Sequence, residues 1–494
     1  MKSSNSWRRP SPRISLSVVA SIGVASLTGC AALPPVSAPG MPAPAQWAAP
    51  LPHEAAWPHE GRLDKLVDWW KQQSDPALVA LVEAAQAVSP TISSAEARRA
   101  QAQAERTASG SALVPQLDAV GSAQRRSATP PFPAGEVFQG ALQMSWELDV
   151  FGGQRAQNQA AQWRAQSADA AWHEARVSVA ADVVLQVLSW RHCQATLQLL
   201  QSDAQAASRS AQRVRRMADA GLQAPEQAAL AESAAAEARN RSRAQVQRCD
   251  SEVKALVQYT GWTDSRVREQ LQAKAEPAVG LMGGSMRHVP SLPAATLAQR
   301  PDVFMAAAAV AAAAADVGVQ HAQRFPRVGL SGSIGRQNSQ SAAGNVSLDT
   351  WSVGPLSVSL PVFDAGRRAA LVDAARARYD DALMQHGAVV RRAVREVEEA
   401  LSGLDTTAQQ EQDAQLALDR ARSALKAVQL REQRGLASAL QVDEALRRSL
   451  GAEAAWLDLQ RSRAGAWVGL YRAAGGGWTP SQPATASQAT SNIR

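Results

Sequence analysis

The 494-residue chain has only three cysteines, three tyrosines and six phenylalanines. So few large side chains argue against a string of ordinary globular cores. The Ala-, Arg- and Gln-rich remainder points instead to long helices with small residues on their faces. There is no Gly-x-x-x-x-Gly-Lys loop, no His-Glu-x-x-His and no Cys-x-x-Cys. The seven histidines are scattered, with only His53/His59 and His173/His192 at all near in sequence. Phosphate-loop, zinc-hydrolase and thiol-redox chemistry are therefore not expected, nor is a metal. Long apolar runs are missing too. Ile14–Leu27 and the alanine run Met305–Ala315 are both too short for a membrane helix, and Asp302 and Asp316 bracket the second. The alanine run reads as a tightly packed helix. The formal charge of +7 includes Lys2, Arg8, Arg9 and Arg13; without residues 1–29 it falls to +3, and no nucleic-acid partner is inferred.

Residues 1–29 combine a basic start with a short apolar stretch, the pattern of a signal peptide. The segment ends in Leu27-Thr28-Gly29-Cys30, which resembles a bacterial lipobox. That resemblance implies cleavage before Cys30 and a covalent lipid on it, and no other cofactor. Ala31, not Asp, follows, which by analogy with bacterial lipoproteins directs the product to the outer membrane. Residues 30–60 are Pro- and Ala-rich and read as an acylated, extended tether. Cys193 and Cys249 lie 28 residues before and after Gly221. If Gly221 is the tip of an antiparallel hairpin, the thiols are level. A disulfide and two separate buried thiols both remain open.

The body of the chain repeats itself. The first repeat, 61–275, has short helices at Ala77–Val88 and about Ile92–Gly110, with a break at Ser89-Pro90. Candidate strands follow at about 113–126 and 137–148. The second is the clearest: Phe138, Gly140, Leu142, Met144, Trp146 and Leu148 alternate with Gln139, Ala141, Gln143, Ser145 and Glu147. A long helical hairpin spans 153–260. Its first arm has no Pro or internal Gly, and Gly221 and Pro225 mark its reversal. After a linker at 276–293, the second repeat, 294–478, has the same order: helix, strands about 328–338 and 350–360, and a helical hairpin over 366–472. Gly354-Pro355 interrupts the last strand, and a bulge is expected there. Pro115 matches Pro326, Phe151 matches Phe363, and Gly221 matches Gly435. Residues 479–494 read as a disordered tail.

Strands of about ten residues suit a tilted bilayer crossing. Four strands cannot close on themselves, and an open edge in lipid is not tolerated, so several chains must share one barrel. Two chains give eight strands and a filled interior; three give twelve and a lumen. Gln139, Gln143, Glu147, Ser357 and Ser359 suit a wet inner face. At the strand–helix joints, Phe151, Gly152 and Gly366 are expected to pack or turn, Phe363 to pack, and Asp364 to cap the helix.

Several stretches together resemble the outer-membrane factor (TolC-like) family, in its lipoprotein, multidrug-efflux branch: the lipobox at Cys30, Trp69-Trp70 with Asp75–Leu78, "SWELDVFGGQRA", "AQRPDV", "DVGVQHAQRFPRVGLSGSIG", "WSVGPLSVSLPVFDAGRRA" and "LYRAAGGGW". The resemblance implies a mainly α fold with a transmembrane β-barrel. Four strands from each of three chains would form twelve, continued by a periplasmic α-helical barrel. It implies a passive homotrimeric exit duct in the outer membrane that meets a periplasmic adaptor and an inner-membrane pump. The adaptor-docking tips would be Gly221-Leu222 and Gly435-Leu436. The constriction would be Leu440, Glu444 and Arg447, with Asp443 a competing acid. Heavy-metal efflux, type I secretion and a non-channel coiled-coil lipoprotein are the alternatives.

Overall fold

The computed structural model describes residues 47–49, 75–127, 134–272, 297, 300–341 and 344–478. The signal peptide, Cys30, most of the tether, the 276–293 linker and the tail lie outside them. The elements are α1 (Pro76–Val88), α2 (Pro90–Ser111), β1 (Gln116–Arg126), β2 (Gly135–Leu148), α3 (Gly153–Asp219), α4 (Pro225–Thr260), α5 (Asp264–Gln272), α6 (Pro301–Ala322), β3 (Arg327–Ser341), β4 (Gly344–Ser359), α7 (Arg367–Gln433) and α8 (Ala439–Ala473). β3 and β4 run past the expected 338 and begin before the expected 350. α5 was not expected from the sequence.

The compact units cut across the two repeats. One unit takes Ser109–Gln159 and Ala314–Arg376, so both strand pairs belong to it. The other takes Ala38–Ala108, Ala160–Ala313 and the chain from Ala377 onward. The units cut across the repeats 61–275 and 294–478 because the strands of both halves join one sheet. Its order is β1-β2-β3-β4, antiparallel throughout. Gly354 and Pro355 stand opposite Ser331, where the β3·β4 register shifts, so the expected bulge is present.

In the helical unit, Leu78, Leu81, Val82 and Ala85 form one face of α1 and pack with Val177–Leu188 of α3, Val253 and Leu256 of α4, and Val468 of α8. Each fully buried Leu, such as Leu81 or Leu256, contributes about 2 kcal/mol. A second cluster joins Val390, Ala393, Val397, Leu401 and Leu404 of α7 to Trp467 and Leu470 of α8. Trp47 packs on it, and the amides of Ala48 and Ala49 each donate to the Glu398 carboxylate at 2.7 Å. This part of the expected free tether is therefore docked. Alanines form the α3·α4 seam: Ala204, Ala207 and Ala211 against Ala235 and Ala238. Small residues at heptad-like spacing let the two helices approach closely. α6 has 22 residues and is apolar enough to pass as a span, but Ala308, Val310, Ala311 and Ala312 on it are buried in the protein. Just before it, buried Arg300 donates to Asp302 at 2.8 Å, Glu396 at 2.6 Å and the Ala473 carbonyl at 2.8 Å. Burial works against its charge, but the two carboxylates outweigh that and hold it protonated.

Candidate functional site

The register of the sheet sorts its side chains by chemistry. One face carries Leu117 and Ala119 of β1, Phe138, Leu142, Met144 and Trp146 of β2, Val328, Leu330 and Ile334 of β3, and Trp351, Val353, Leu356 and Val358 of β4. The other carries Gln116, Asp118, Gln139, Gln143, Glu147, Ser331, Ser333, Ser357 and Ser359. In one chain the apolar face is open: Ile334 is 63% exposed, Trp351 77% and Val353 83%. A patch of this kind marks a surface that is covered in the working state. β1 and β4 each have one unpaired edge.

The apolar belt crosses the strands obliquely. Leu117, its lowest member on β1, is level with Met144, Gly332 and Val353. On β4 the belt continues toward the helices through Leu356 and Val358 to Leu360 and Val362. At the far end, Ala123 and Phe138 are level with polar Asn338 and Ser347, and one row nearer the helices Arg336 pairs with Asp349 at 2.7 Å. A slanted belt is what strands tilted by about 40° present to a flat bilayer.

The joints differ in detail. At the first, Phe151 stacks on Phe325, with ring centroids 5.0 Å apart and planes 12° apart. Gly152 takes φ 78°. The cap is Asp149, which the sequence reading passed over. It accepts the amides of Gln154 at 3.0 Å and Arg155 at 2.9 Å, and the Arg155 Nε at 2.9 Å. At the second joint, Asp364 accepts the amides of Gly366 at 3.1 Å and Arg368 at 3.2 Å. Ala365 and Gly366 make the turn, with φ of 55° and 85°. Phe363 does not pack: it is 89% exposed, and among the described residues no ring stacks on it as Phe325 stacks on Phe151. Burial pushes the Asp149 carboxyl up, but the amide and guanidinium donors outweigh it and hold its pKa below the usual carboxylate range. Its stabilisation is thus present above that range and is lost as pH falls through the folded value. Asp149→Ala is expected to cost about 1 kcal/mol at neutral pH and nearly nothing at strongly acidic pH, read by thermal melts.

The hairpin tips are built alike. Leu222 N donates to Met217 O at 2.8 Å and Gly221 N to Ala218 O at 2.9 Å; Leu436 N donates to Arg431 O at 2.8 Å and Gly435 N to Glu432 O at 2.9 Å. Each is a Schellman reversal with Gly in the left-handed region, at φ 72° and 74°. Leu222 and Leu436 project, 76% and 66% exposed. Ser438 then starts α8 with a capping box to Gln441.

Near the second tip, Leu440 is exposed. Glu444 pairs with Arg448 at 2.5 Å, not with Arg447, which reaches Asp203 of α3 at 3.5 Å. Asp443 is only 5% exposed and receives Arg213 of α3 at 2.7 Å. It is therefore unavailable to line a lumen in this arrangement. Further along the same α3·α8 seam, His192 meets Asp458 at 2.7 Å, Arg461 meets Ser189 at 3.2 Å, and Arg472 meets Asp182 at 3.5 Å. Each step along α3 is matched by a step back along α8. None of these partners is adjacent in sequence, so no local motif announces them. Cys193 and Cys249 are joined as a disulfide across α3 and α4.

Comparison with known proteins agrees with this geometry. The outer membrane efflux protein family matches residues 81–262 and 292–476. The chain is similar to outer membrane protein OprJ of Pseudomonas aeruginosa, 29% identical over 451 residues, covering 88% of this chain and 90% of that protein. It is 28% identical over 456 residues to the solvent efflux pump outer membrane protein SrpC of Pseudomonas putida, covering 88% of this chain and 92% of that protein. Among solved structures, the outer-membrane channel OprN superposes with a TM-score of 0.71 at 26% identity, over 90% of this chain and 99% of the other. With a matched profile over most of its length and an exposed apolar sheet backed by a polar one, the chain belongs to the outer membrane efflux protein family, the outer-membrane channels of efflux systems.

Proposed function

We propose that three copies share one twelve-stranded barrel and form the passive exit duct of a tripartite efflux system. The observation that carries this is the four-stranded sheet with chemically opposite faces and two unpaired edges. In lipid the edges must pair, and the polar face then turns to water. Lipid on Cys30 anchors the N-terminus in the same membrane. α3 and α7, each of 67 residues, are about 100 Å long by their rise, which suits a wall reaching far into the periplasm. The projecting Leu222 and Leu436 are the contacts for a periplasmic adaptor, which couples the duct to an inner-membrane pump. Energy and substrate choice reside in the pump. The substrates are small molecules of the drug or solvent kind, as the name of SrpC indicates for that relative.

Leu440, Glu444 and Arg447 form the constriction. Threefold symmetry makes Leu440 an apolar ring and Glu444 a ring of three carboxylates that favours cations. Purified protein is expected to weigh as three copies in detergent and to conduct in planar bilayers. Leu440→Ala with Glu444→Ala is expected to raise single-channel conductance and lower cation preference. A monomeric mass would remove the barrel; unchanged conductance would remove these residues from the gate.

A further inference from the structure

The exposed Phe363 has a counterpart that is not exposed. Where β2 meets β3, Leu148 faces Val328, and three residues further out Phe151 stacks on Phe325. The internal repeat maps Leu148 and Phe151 onto Leu360 and Phe363 at the end of β4. Through Pro326 and Pro115, it maps Val328 and Phe325 onto Leu117 and Val114 at the start of β1. All four of these mapped residues are exposed in the single chain: Leu360 55%, Phe363 89%, Leu117 66% and Val114 56%. They lie on or beside the two strands that have an unpaired edge.

We infer that the seam between copies repeats the β2·β3 pairing, with Leu360 opposite Leu117 and Phe363 packed on Val114 of the neighbouring copy. This rests on the shared-barrel reading above and adds its register. Carried two residues further, it places Val358 opposite the neighbour's Ala119, as Trp146 stands opposite Leu330. An independent check is face. Val358 is on the apolar face by its pairing with Val328, and Ala119 by its pairing with Leu142. A slip of one residue would set Val358 against Asp118 or Val120 on the polar face, so the competing registers differ by two residues. The occupant of both edges is thus a second copy of this chain, held by the same backbone ladder and the same kind of joint contact that holds the two repeats together.

The test is cysteine pairing in the full chain. Directly opposed strand residues have Cα atoms about 4.5–5.5 Å apart, within disulfide reach. Val358→Cys with Ala119→Cys is expected, after oxidation with copper phenanthroline, to give two- and three-copy bands on non-reducing gels. The chain with only its native cysteines is the background. Val358→Cys with Leu117→Cys or with Gly121→Cys shifts the pair by two residues and is expected to give far weaker bands. Gly121 has open space for a side chain, so that control leaves the fold intact. Stronger bands from either shifted pair overturn the register while the three-copy barrel stands. Absence of any three-copy species by light scattering overturns the barrel itself. Phe363→Ala supplies a second readout: the three-copy species is expected to dissociate at a temperature several degrees lower, with the helix content of the dissociated chain unchanged. No shift overturns the Phe363–Val114 contact.

Discussion

Arg213→Ala is expected to hold the channel open. The carboxylate of Asp443 is 5% exposed, and Arg213 is the cation that meets it, at 2.7 Å. Removing the guanidinium leaves a buried charge without its partner, which costs the packed arrangement about 3 kcal/mol. That is roughly a 100-fold change in the balance between α8 seated on α3 and α8 displaced from it. The Asp443 carboxylate reaches water if the start of α8 leaves α3. Single-channel recordings should therefore show longer or permanent high-conductance states, and the deletion strain complemented by this variant should admit large antibiotics. Arg448→Ala is the comparison. Its pair with Glu444 is closer, at 2.5 Å, but both side chains are well exposed, and such a pair is worth less than about 1 kcal/mol. Distance does not decide between the two pairs; burial does. Arg213→Lys restores a charge but not the planar guanidinium, whose Nη1 donates to both the Asp443 carboxylate at 2.7 Å and the Ala439 carbonyl at 3.4 Å, and should fall between. Equal behaviour of the Arg213 and Arg448 variants would remove the buried pair from the lock.

Loss of the disulfide should be the other large effect. Cys193 and Cys249 are 56 residues apart, and closing a loop of that length constrains the unfolded chain by about 4 kcal/mol. Both sulfurs are buried, and the Gln245 side chain fills the place beside them, donating to the Cys193 carbonyl at 3.3 Å. Cys193→Ala with Cys249→Ala, or reductant, is expected to lower the midpoint of thermal unfolding by about 5 °C, read by circular dichroism. An unchanged midpoint would mean that packing alone holds the hairpin. The displacement that relates Gly221 to Gly435 carries the two cysteines onto Thr407 and Arg463. There Arg463 pairs with Glu411 and Thr407 bonds its own helix at Gly403. One hairpin is therefore stapled covalently where the other relies on an ion pair, and reductant should act on the first alone.

What the sequence displayed was whatever repeats at short range. The alternation from Phe138 to Leu148 gave β2 nearly to the residue. The absence of Pro and internal Gly gave α3, α7 lacks Pro but holds Gly387 and Gly403, and the paired glycines gave both tips. Polar stretches hid structure. Gln337–Ser341 and Gly344–Asp349 are held in β3 and β4 by their ladder, with little alternation to read. α5 buries only Val267 and Leu271 in a polar nine-residue helix. Long-range partners were not visible. Nothing near Asp443 in the chain names Arg213, so the acid looked free to line a pore. The first joint was misread for a different reason. Its acid stands before the Phe, at Asp149, and in the second joint after it, at Asp364, so matching the repeats by Phe concealed the cap.

The oblique apolar belt also carries a statement about thickness. On β3 it runs from Val328 to Ile334, six residue steps or about 20 Å along the strand, and about 15 Å in height once the strand is tilted. With side chains reaching beyond each end, this still falls short of a hydrocarbon core of about 30 Å. A span that short is cheapest in a thin bilayer, and in a thicker one the lipid around β3 must compress to meet Arg336 and Asp349. On β2 the belt runs from Phe138 to Leu148, ten steps or about 33 Å along the strand and about 25 Å in height, so the belt narrows at β3 and the thinning of the lipid is local to that strand.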